Sequence, residues 1–134
     1  MRHTPSPCGF TLIELLIVVI IIAALAAMVA PKLIERSDEA KGYIAKGDIS
    51  NLTLSLKLFR LDNGFYPKDL DSLTTKPSSA TNWKGPYIEN SPTDPWAHAY
   101  KYKYPGVHNK GSFDLYSVGM DGIEGSADDV VNWQ

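Results

Sequence analysis

The 134-residue chain is poor in the residues that mark disulfide-bonded, nucleic-acid-binding and catalytic proteins. Its one cysteine, Cys8, cannot form a disulfide within the chain. The 13 basic residues are scattered without a Lys/Arg stripe, which argues against nucleic-acid binding. The sequence has no phosphate-cradling glycine loop, and the adjacent Asp128 and Asp129 point differently and make a poor acid/base pair. An enzyme is therefore the weakest of the possible functions.

What the chain does have is an apolar run of 21 residues, from Phe10 to Ala30, in which Glu14 is the only ionisable side chain. As a helix rising ~1.5 Å per residue, this run would span about 31 Å, close to the thickness of a bilayer's hydrocarbon core. A carboxylate at the centre of an inserted helix costs about 2.5–3.5 kcal/mol, and less towards its end. The run predicts a transmembrane segment in which Glu14 meets a cationic partner.

Two ordinary alternatives explain the same run. Arg2 and the tripeptide Ala24–Ala26 fit a secretory signal peptide, with its positive start and small-residue cleavage site. Such a peptide has an apolar stretch of about 7–15 residues, so the length of this run and the presence of Glu14 argue against it. The second alternative is a simple membrane anchor in which the Glu14 side chain reaches the lipid headgroups.

The segment Gly9-Phe10-Thr11-Leu12-Ile13-Glu14 resembles the class III signal of type IV pilins and pseudopilins. The resemblance implies that a prepilin peptidase cuts between Gly9 and Phe10, which removes residues 1–9 as a leader, and that the new amine of Phe10 is methylated. It also implies that Glu14 pairs with the N-terminal amine of a neighbouring subunit in a filament. Removing one partner of a buried ion pair costs about 3–5 kcal/mol, so this pair would fix the register of the subunits.

Beyond Pro31 the pattern becomes amphipathic. Apolar residues recur at spacings of four, three, four and three on one helical face: Ala45, Ile49, Leu52, Leu56 and Phe59. A second row, Leu54, Leu58 and Leu61, is expected to widen this stripe. Asn63-Gly64 supplies a stop signal. The sequence predicts one long helix over about 10–62, with its first half in lipid and its second half packed on a small domain.

The remaining chain predicts a structured loop followed by two strands. Residues 65–98 are rich in proline, and we expect Trp83, Tyr87 and Trp96 to hold this loop against the helix. Alternation of tyrosine and lysine over 100–104 predicts one strand, and residues 113–118 predict its partner. The fold class is therefore α+β, with a long N-terminal helix, a small antiparallel sheet and a C-terminal ion-binding loop.

Several blocks in the second half resemble the major pseudopilin of type II secretion systems: Trp83–Tyr87, Asp94–Trp96, Phe113–Ser117 and Asn132-Trp133. The resemblance implies a leader (1–9), a transmembrane and filament-core helix (10–31) and a periplasmic domain (32–134), in a protein that passes once through the inner membrane. Its role would be that of the main subunit of a periplasmic filament that drives folded proteins through the outer-membrane secretin. Ala97-His98-Ala99 departs from the family by replacing its usual glycine-containing turn.

The same resemblance implies the partners. These are further copies of the chain, minor pseudopilins, the prepilin peptidase, and the inner-membrane assembly platform with the secretin. A minor pseudopilin or a type IV pilin subunit is the alternative within the same fold, and a membrane-anchored periplasmic enzyme is a weaker one. Glu14 favours a repeating subunit, because a subunit at the tip need not satisfy the amine of the next. A chain without cysteine after its leader cannot form the C-terminal disulfide loop of adhesive pilins.

The last notable feature is an acidic loop, residues 119–129, in which Asp121, Glu124, Asp128 and Asp129 alternate with three glycines. Carboxylates crowded into a tight turn favour a bound cation, and hard oxygen ligands on a flexible backbone suit calcium. Zinc would recruit His or Cys, which the loop lacks, and the spacing does not fit an EF-hand. From composition alone, calcium and a solvated acidic turn both stay open.

The family resemblance implies one structural calcium ion in this loop. Matched position by position, Asp121, Asp128 and Asp129 would supply carboxylates, while Val118 and Ser126 would supply main-chain oxygens. Glu124 has no counterpart role and is expected to face solvent. The ion would tie the C-terminal tail against the sheet.

Overall fold

The structure, a computed structural model, describes residues 9–133, except for the side chains of residues 33–35. The predicted leader, residues 1–9, lies outside the described residues apart from Gly9. The elements in chain order are α1 (Leu12–Asn63), a short 3-10 turn (Asp71–Leu73), β1 (Lys101–Lys103), β2 (Asp114–Ser117) and β3 (Val130–Val131). The chain divides into two compact units after Ser37, and the predicted division after Pro31 stays a prediction.

The N-terminal unit is the first part of α1. The helix begins where Thr11 caps it, since the Thr11 hydroxyl oxygen accepts a hydrogen bond from the Glu14 amide at 3.2 Å. The apolar side chains that follow are exposed in the single chain, and the helix continues through Pro31 as expected. Within the described chain, α1 is the one helix long and apolar enough to cross a membrane.

The C-terminal unit has a core built on one face of α1. The five residues of the predicted helical face, Ala45, Ile49, Leu52, Leu56 and Phe59, are all 5% exposed or less, which confirms that prediction. Leu73, Tyr100, Phe113 and Leu115 complete the core from the loop and the sheet. The helix and the small antiparallel sheet therefore share one hydrophobic interior.

The second apolar row does not widen this buried stripe, and that expectation is wrong for the single chain. Leu54, Leu58 and Leu61 are 59%, 44% and 80% exposed. At 3.6 residues per turn they lie on the face of α1 opposite the core residues. A small three-stranded sheet covers one face of a helix, so this exposed leucine row (Leu54, Leu58 and Leu61) has no cover from its own domain.

The loop after α1 is anchored to the helix as predicted. Gly64 ends the helix with a φ of +83°, a conformation that favours glycine. The Tyr87 hydroxyl donates to Asp62 at 2.8 Å, and the Ser55 hydroxyl donates to the Tyr87 carbonyl at 3.2 Å. The Trp83 indole N–H donates to the Ser72 carbonyl at 3.1 Å. Trp83, Tyr87 and Trp96 also pack against the core.

The sheet is antiparallel with the order β1-β2-β3. The predicted strands over 100–104 and 113–118 are confirmed as β1 and β2, in which Lys103 pairs with Asp114. The third strand, β3, was not predicted from the sequence, because it has only two residues, Val130 and Val131. Its pairing with the end of β2 closes the acidic loop at its base.

Candidate functional site

The N-terminal signal residues stand at the start of α1. Gly9 and Phe10 precede the helix and are exposed, and Glu14 lies in its first turn. Thr11 and Glu14 have the spacing of a capping box, a signal that sequence reasoning missed although the T-x-x-E pattern carries it. The positive end of the helix dipole stabilises a carboxylate in this turn, so Glu14 is less costly here than at mid-helix.

The acidic loop brings three predicted calcium-binding carboxylates around one hydroxyl. The Ser126 Oγ atom lies 3.2 Å from Asp121 Oδ1 and 3.3 Å from Asp129 Oδ1, and it also contacts Asp128 Oδ1. One hydroxyl proton serves one acceptor at a time, so it cannot satisfy all three. Over the part of the chain that the structure describes, none of these three carboxylates is in an ion pair. No cationic side chain among the described residues therefore neutralises their negative charge.

Backbone amides hold all three of these carboxylates in place, since Asp121 Oδ1 accepts a hydrogen bond from the Ile123 amide at 2.8 Å. Asp128 Oδ2 accepts hydrogen bonds from the amides of Met120 at 2.7 Å and Asp121 at 3.1 Å. Asp129 Oδ2 accepts one from the Gly125 amide at 2.7 Å. The Ser126 hydroxyl and these backbone amides lower the pKa of Asp128 below its usual value, which keeps the group ionised.

The donor set suits a hard cation but not a site made of side chains alone. Among the described residues, no group of three or more His, Cys, Asp or Glu side chains is arranged to hold a metal ion by itself. A site here therefore needs main-chain oxygens as well, which is the role expected of Val118 and Ser126. Glu124 is exposed, as expected, and accepts a hydrogen bond from the Tyr116 hydroxyl. Burial, together with that bond, raises the pKa of Tyr116 to about 12.

A buried turn beside the loop was not identified as functional from the sequence. Asp94 is 4% exposed, and its Oδ1 accepts hydrogen bonds from the amides of Trp96 at 3.1 Å and His98 at 2.8 Å. Its Oδ2 accepts the hydroxyl of Ser117. Asp followed by Pro is typical of such a turn, but the pattern does not reveal the contact with β2. Ala97 in this turn has a φ of +69°, in the left-handed region that favours glycine.

The C-terminal tail lies against the sheet through Trp133. Its ring stacks on the His108 ring, with ring centroids 4.1 Å apart. It also makes a T-shaped contact with the Tyr116 ring, whose centroid is 5.5 Å away. Asp114 holds the loop that carries His108 by accepting the amides of Val107, His108 and Asn109 at 2.7–2.9 Å. Burial raises the pKa of Asp114, but these hydrogen bonds outweigh it and the pKa is lowered overall.

Comparison with known proteins finds two family models that match the chain. The model described as type II secretion system (T2SS), protein G, matches residues 32–133. The model described as the prokaryotic N-terminal methylation motif matches residues 6–30. Together the two models cover the N-terminal apolar segment and nearly all of the chain that follows it.

Individual relatives agree with these matches. The chain is 45% identical over 135 residues to the type II secretion system core protein G of Pseudomonas aeruginosa. This match covers 93% of this chain and 94% of the relative. It is 41% identical over 140 residues to that of Escherichia coli K12, with 99% and 95% covered. A solved structure, the major pseudopilin from the type 2 secretion system of enterohaemorrhagic Escherichia coli, is similar with a TM-score of 0.68 and 32% identity, over 75% of this chain and 89% of that chain.

Proposed function

This chain belongs to the protein G family of the type II secretion system and has the role of its major pseudopilin, and we propose that it forms the periplasmic filament that drives folded proteins through the outer-membrane secretin. One observation carries the proposal: a chain that matches a core protein G over 99% of its length has an apolar helix whose side chains its own fold leaves exposed. The partners would be copies of the chain, minor pseudopilins, the prepilin peptidase and the assembly platform. The family is structural, and we propose no catalysis.

The apolar surface of the first part of α1 would be covered first by lipid and later by neighbouring copies of the chain. Its apolar side chains are exposed in the single chain, and the N-terminal methylation motif with an apolar helix indicates membrane anchoring. We propose a single pass through the inner membrane with the C-terminal unit in the periplasm. On assembly, the helices of neighbouring copies would replace lipid as the cover.

Three variants of Glu14 can separate its pairing with the methylated amine of Phe10 in a neighbouring copy from a role in helix capping. Glu14→Gln keeps the size of the side chain and can still cap the helix, but it loses the charge. We expect Glu14→Gln and Glu14→Ala to be cleaved normally while both fail to form filaments. Glu14→Asp, which keeps the charge, should retain part of the assembly.

The readouts are the size of the processed protein and the yield of sheared filaments. Normal filaments from Glu14→Gln would contradict the ion pair. Full-size wild-type precursor in cells with an active prepilin peptidase would contradict cleavage between Gly9 and Phe10.

We also propose that the acidic loop binds one calcium ion through the carboxylates of Asp121, Asp128 and Asp129 and the main-chain oxygens of Val118 and Ser126. The convergence on the Ser126 hydroxyl of three carboxylates that lack a cationic partner among the described residues supports this proposal. The ion would neutralise the loop and hold the tail against the sheet. A ligand present at 100 times its dissociation constant stabilises the folded state by about 2.7 kcal/mol.

The test is thermal unfolding of the detergent-solubilised full chain with calcium and with a chelator. We expect a calcium-dependent rise in Tm that Asp128→Asn abolishes and Glu124→Gln preserves, because Glu124 lies outside the carboxylate cluster. An equal rise with magnesium would contradict selectivity for calcium. No rise in the wild type would leave a solvated acidic turn.

A further inference from the structure

We propose that Asp94 is the positioning residue of the calcium loop, and that it acts on the loop through Ser117 and His98. The inference rests on the proposed calcium site. Gly119, the first residue of the acidic loop, has its amide and its carbonyl both held by partners outside the loop. These partners are Ser117 and His98, and both are hydrogen-bonded to the buried Asp94 carboxylate.

The first connection orients the carbonyl of Val118. The Gly119 N–H donates to Ser117 Oγ at 3.1 Å, and the Ser117 hydroxyl in turn donates to Asp94 Oδ2. The Gly119 N–H and the Val118 carbonyl belong to the same planar peptide unit, so fixing one fixes the other. In a trans peptide they point in opposite directions, which aims the Val118 oxygen away from the Ser117 hydroxyl. Val118 is the residue expected to give calcium a main-chain oxygen.

The second connection reaches the carboxylate of Asp128. His98 Nδ1 lies 3.0 Å from the Gly119 carbonyl oxygen, which can only accept, so this nitrogen carries the proton and donates. The next amide in the same peptide unit, the Met120 N–H, donates to Asp128 Oδ2 at 2.7 Å. One rigid peptide unit therefore links His98 to a predicted ligand carboxylate.

Asp94 fixes the positions of both His98 and Ser117, the residues that make the two connections. The side chain of Asp94 is buried, and its two oxygens take three donors: the Trp96 and His98 amides on Oδ1 and the Ser117 hydroxyl on Oδ2. A buried carboxylate needs such donors, and here they come from a turn on one side and from β2 on the other. Gly119 can approach Asp128 closely because it has no side chain and adopts a φ of +64°. The arrangement preorganises two adjacent peptide units before any ion binds.

The test measures calcium binding by titration of the full chain in detergent, well below its unfolding temperature, for two pairs of variants. Ser117→Ala breaks the first connection, and Ser72→Ala is its control, because Ser72 also donates to a carboxylate, that of Asp69, at 2.7 Å. His98→Ala breaks the second connection, and His108→Ala is its control. Loss of a group that orients metal ligands typically weakens affinity 10–100-fold, so we expect Ser117→Ala and His98→Ala to bind calcium at least about tenfold more weakly than their controls.

Two further readouts separate positioning from general stability. His98→Asn places an amide N–H near the position of Nδ1 and should restore most of the affinity. Without calcium, hydrogen exchange at the Met120 amide should speed up in His98→Ala and not in His108→Ala. Asp94→Asn is informative only alongside these variants, because it can prevent folding.

The outcomes separate this inference from the calcium proposal. If the wild type binds no calcium, the proposed site fails, and faster Met120 exchange in His98→Ala would still support the positioning of the loop by this turn. If the wild type binds calcium and both Ser117→Ala and His98→Ala bind as tightly as their controls, with unchanged exchange, the positioning role of Asp94 is overturned.

Discussion

The two units of the chain differ in where their apolar surface is covered. The N-terminal unit exposes the apolar side chains of α1 up to Val29, so these described residues form no interior of their own. The C-terminal unit buries one face of α1 in a core with the loop and sheet, yet leaves the exposed leucine row uncovered. Substitutions in the first unit should therefore affect assembly, and core substitutions in the second should affect folding. The leucine row lies on the part of α1 that packs in the core, yet its side chains are exposed like those of the N-terminal unit.

The strongest test of this difference compares two leucines of the same helix. Leu56 is fully buried, and Leu56→Ala should lower the free energy of unfolding by about 2–5 kcal/mol. Leu16 is 51% exposed, so Leu16→Ala should leave it unchanged while lowering the filament yield. Denaturant unfolding followed by tryptophan fluorescence suits the comparison, because all three tryptophans lie in the C-terminal unit. Equal destabilisation by both variants would contradict the division.

A smaller effect of opposite sign is expected at Ala97 in the C-terminal unit. Its φ of +69° lies in the left-handed region, which costs a residue with a Cβ roughly 1–2 kcal/mol. Ala97→Gly removes this strain but gains entropy in the unfolded chain, so we expect a net stabilisation of about 1 kcal/mol. The same unfolding assay measures it. Ala99→Gly is the control, and a loss of stability in Ala97→Gly would contradict the strain.

Acid should weaken the C-terminal unit through its carboxylates with lowered pKa, which are Asp62, Asp114 and Asp128 among the described residues. The pKa values of Asp114 and Asp128 lie below the usual 3.8 in the folded state. The stability they contribute is therefore present above pH 3.8 and is lost as the pH falls through their folded-state pKa values. Asp114→Asn should flatten this part of the pH dependence in calcium-free unfolding experiments. An unchanged slope in that variant would contradict the assignment to Asp114.

The smallest effect on folding is expected in the exposed leucine row. Leu58→Ser should change the free energy of unfolding by no more than about 0.5 kcal/mol, because such surface substitutions touch no core contact. We propose that neighbouring copies cover this row in the filament, so the same variant should lower filament yield. A large loss of folding stability would show that the row is covered within the chain.

Much of the fold could be predicted from the sequence, because it depends on local patterns of apolar and polar residues. The apolar face from Ala45 to Phe59 predicted the buried side of α1, and alternation at 100–104 predicted β1. Sequence reasoning missed β3, because two residues carry no periodic pattern, and it placed the second leucine row in the core. It also identified Asp121, Asp128 and Asp129 as neighbours in a loop without showing that all three approach Ser126.

The sequence by itself determined the membrane-length helix, the N-terminal methylation motif over residues 6–30 and the family, since these depend on residue type and spacing along the chain. Only the tertiary structure decided which face of α1 is covered, because that depends on where a distant sheet packs. It also decided the link from Asp94 through Ser117 to Gly119, in which residues 23 positions apart share a hydrogen bond. A buried carboxylate must find donors wherever the fold brings them, and neither composition nor spacing specifies that place.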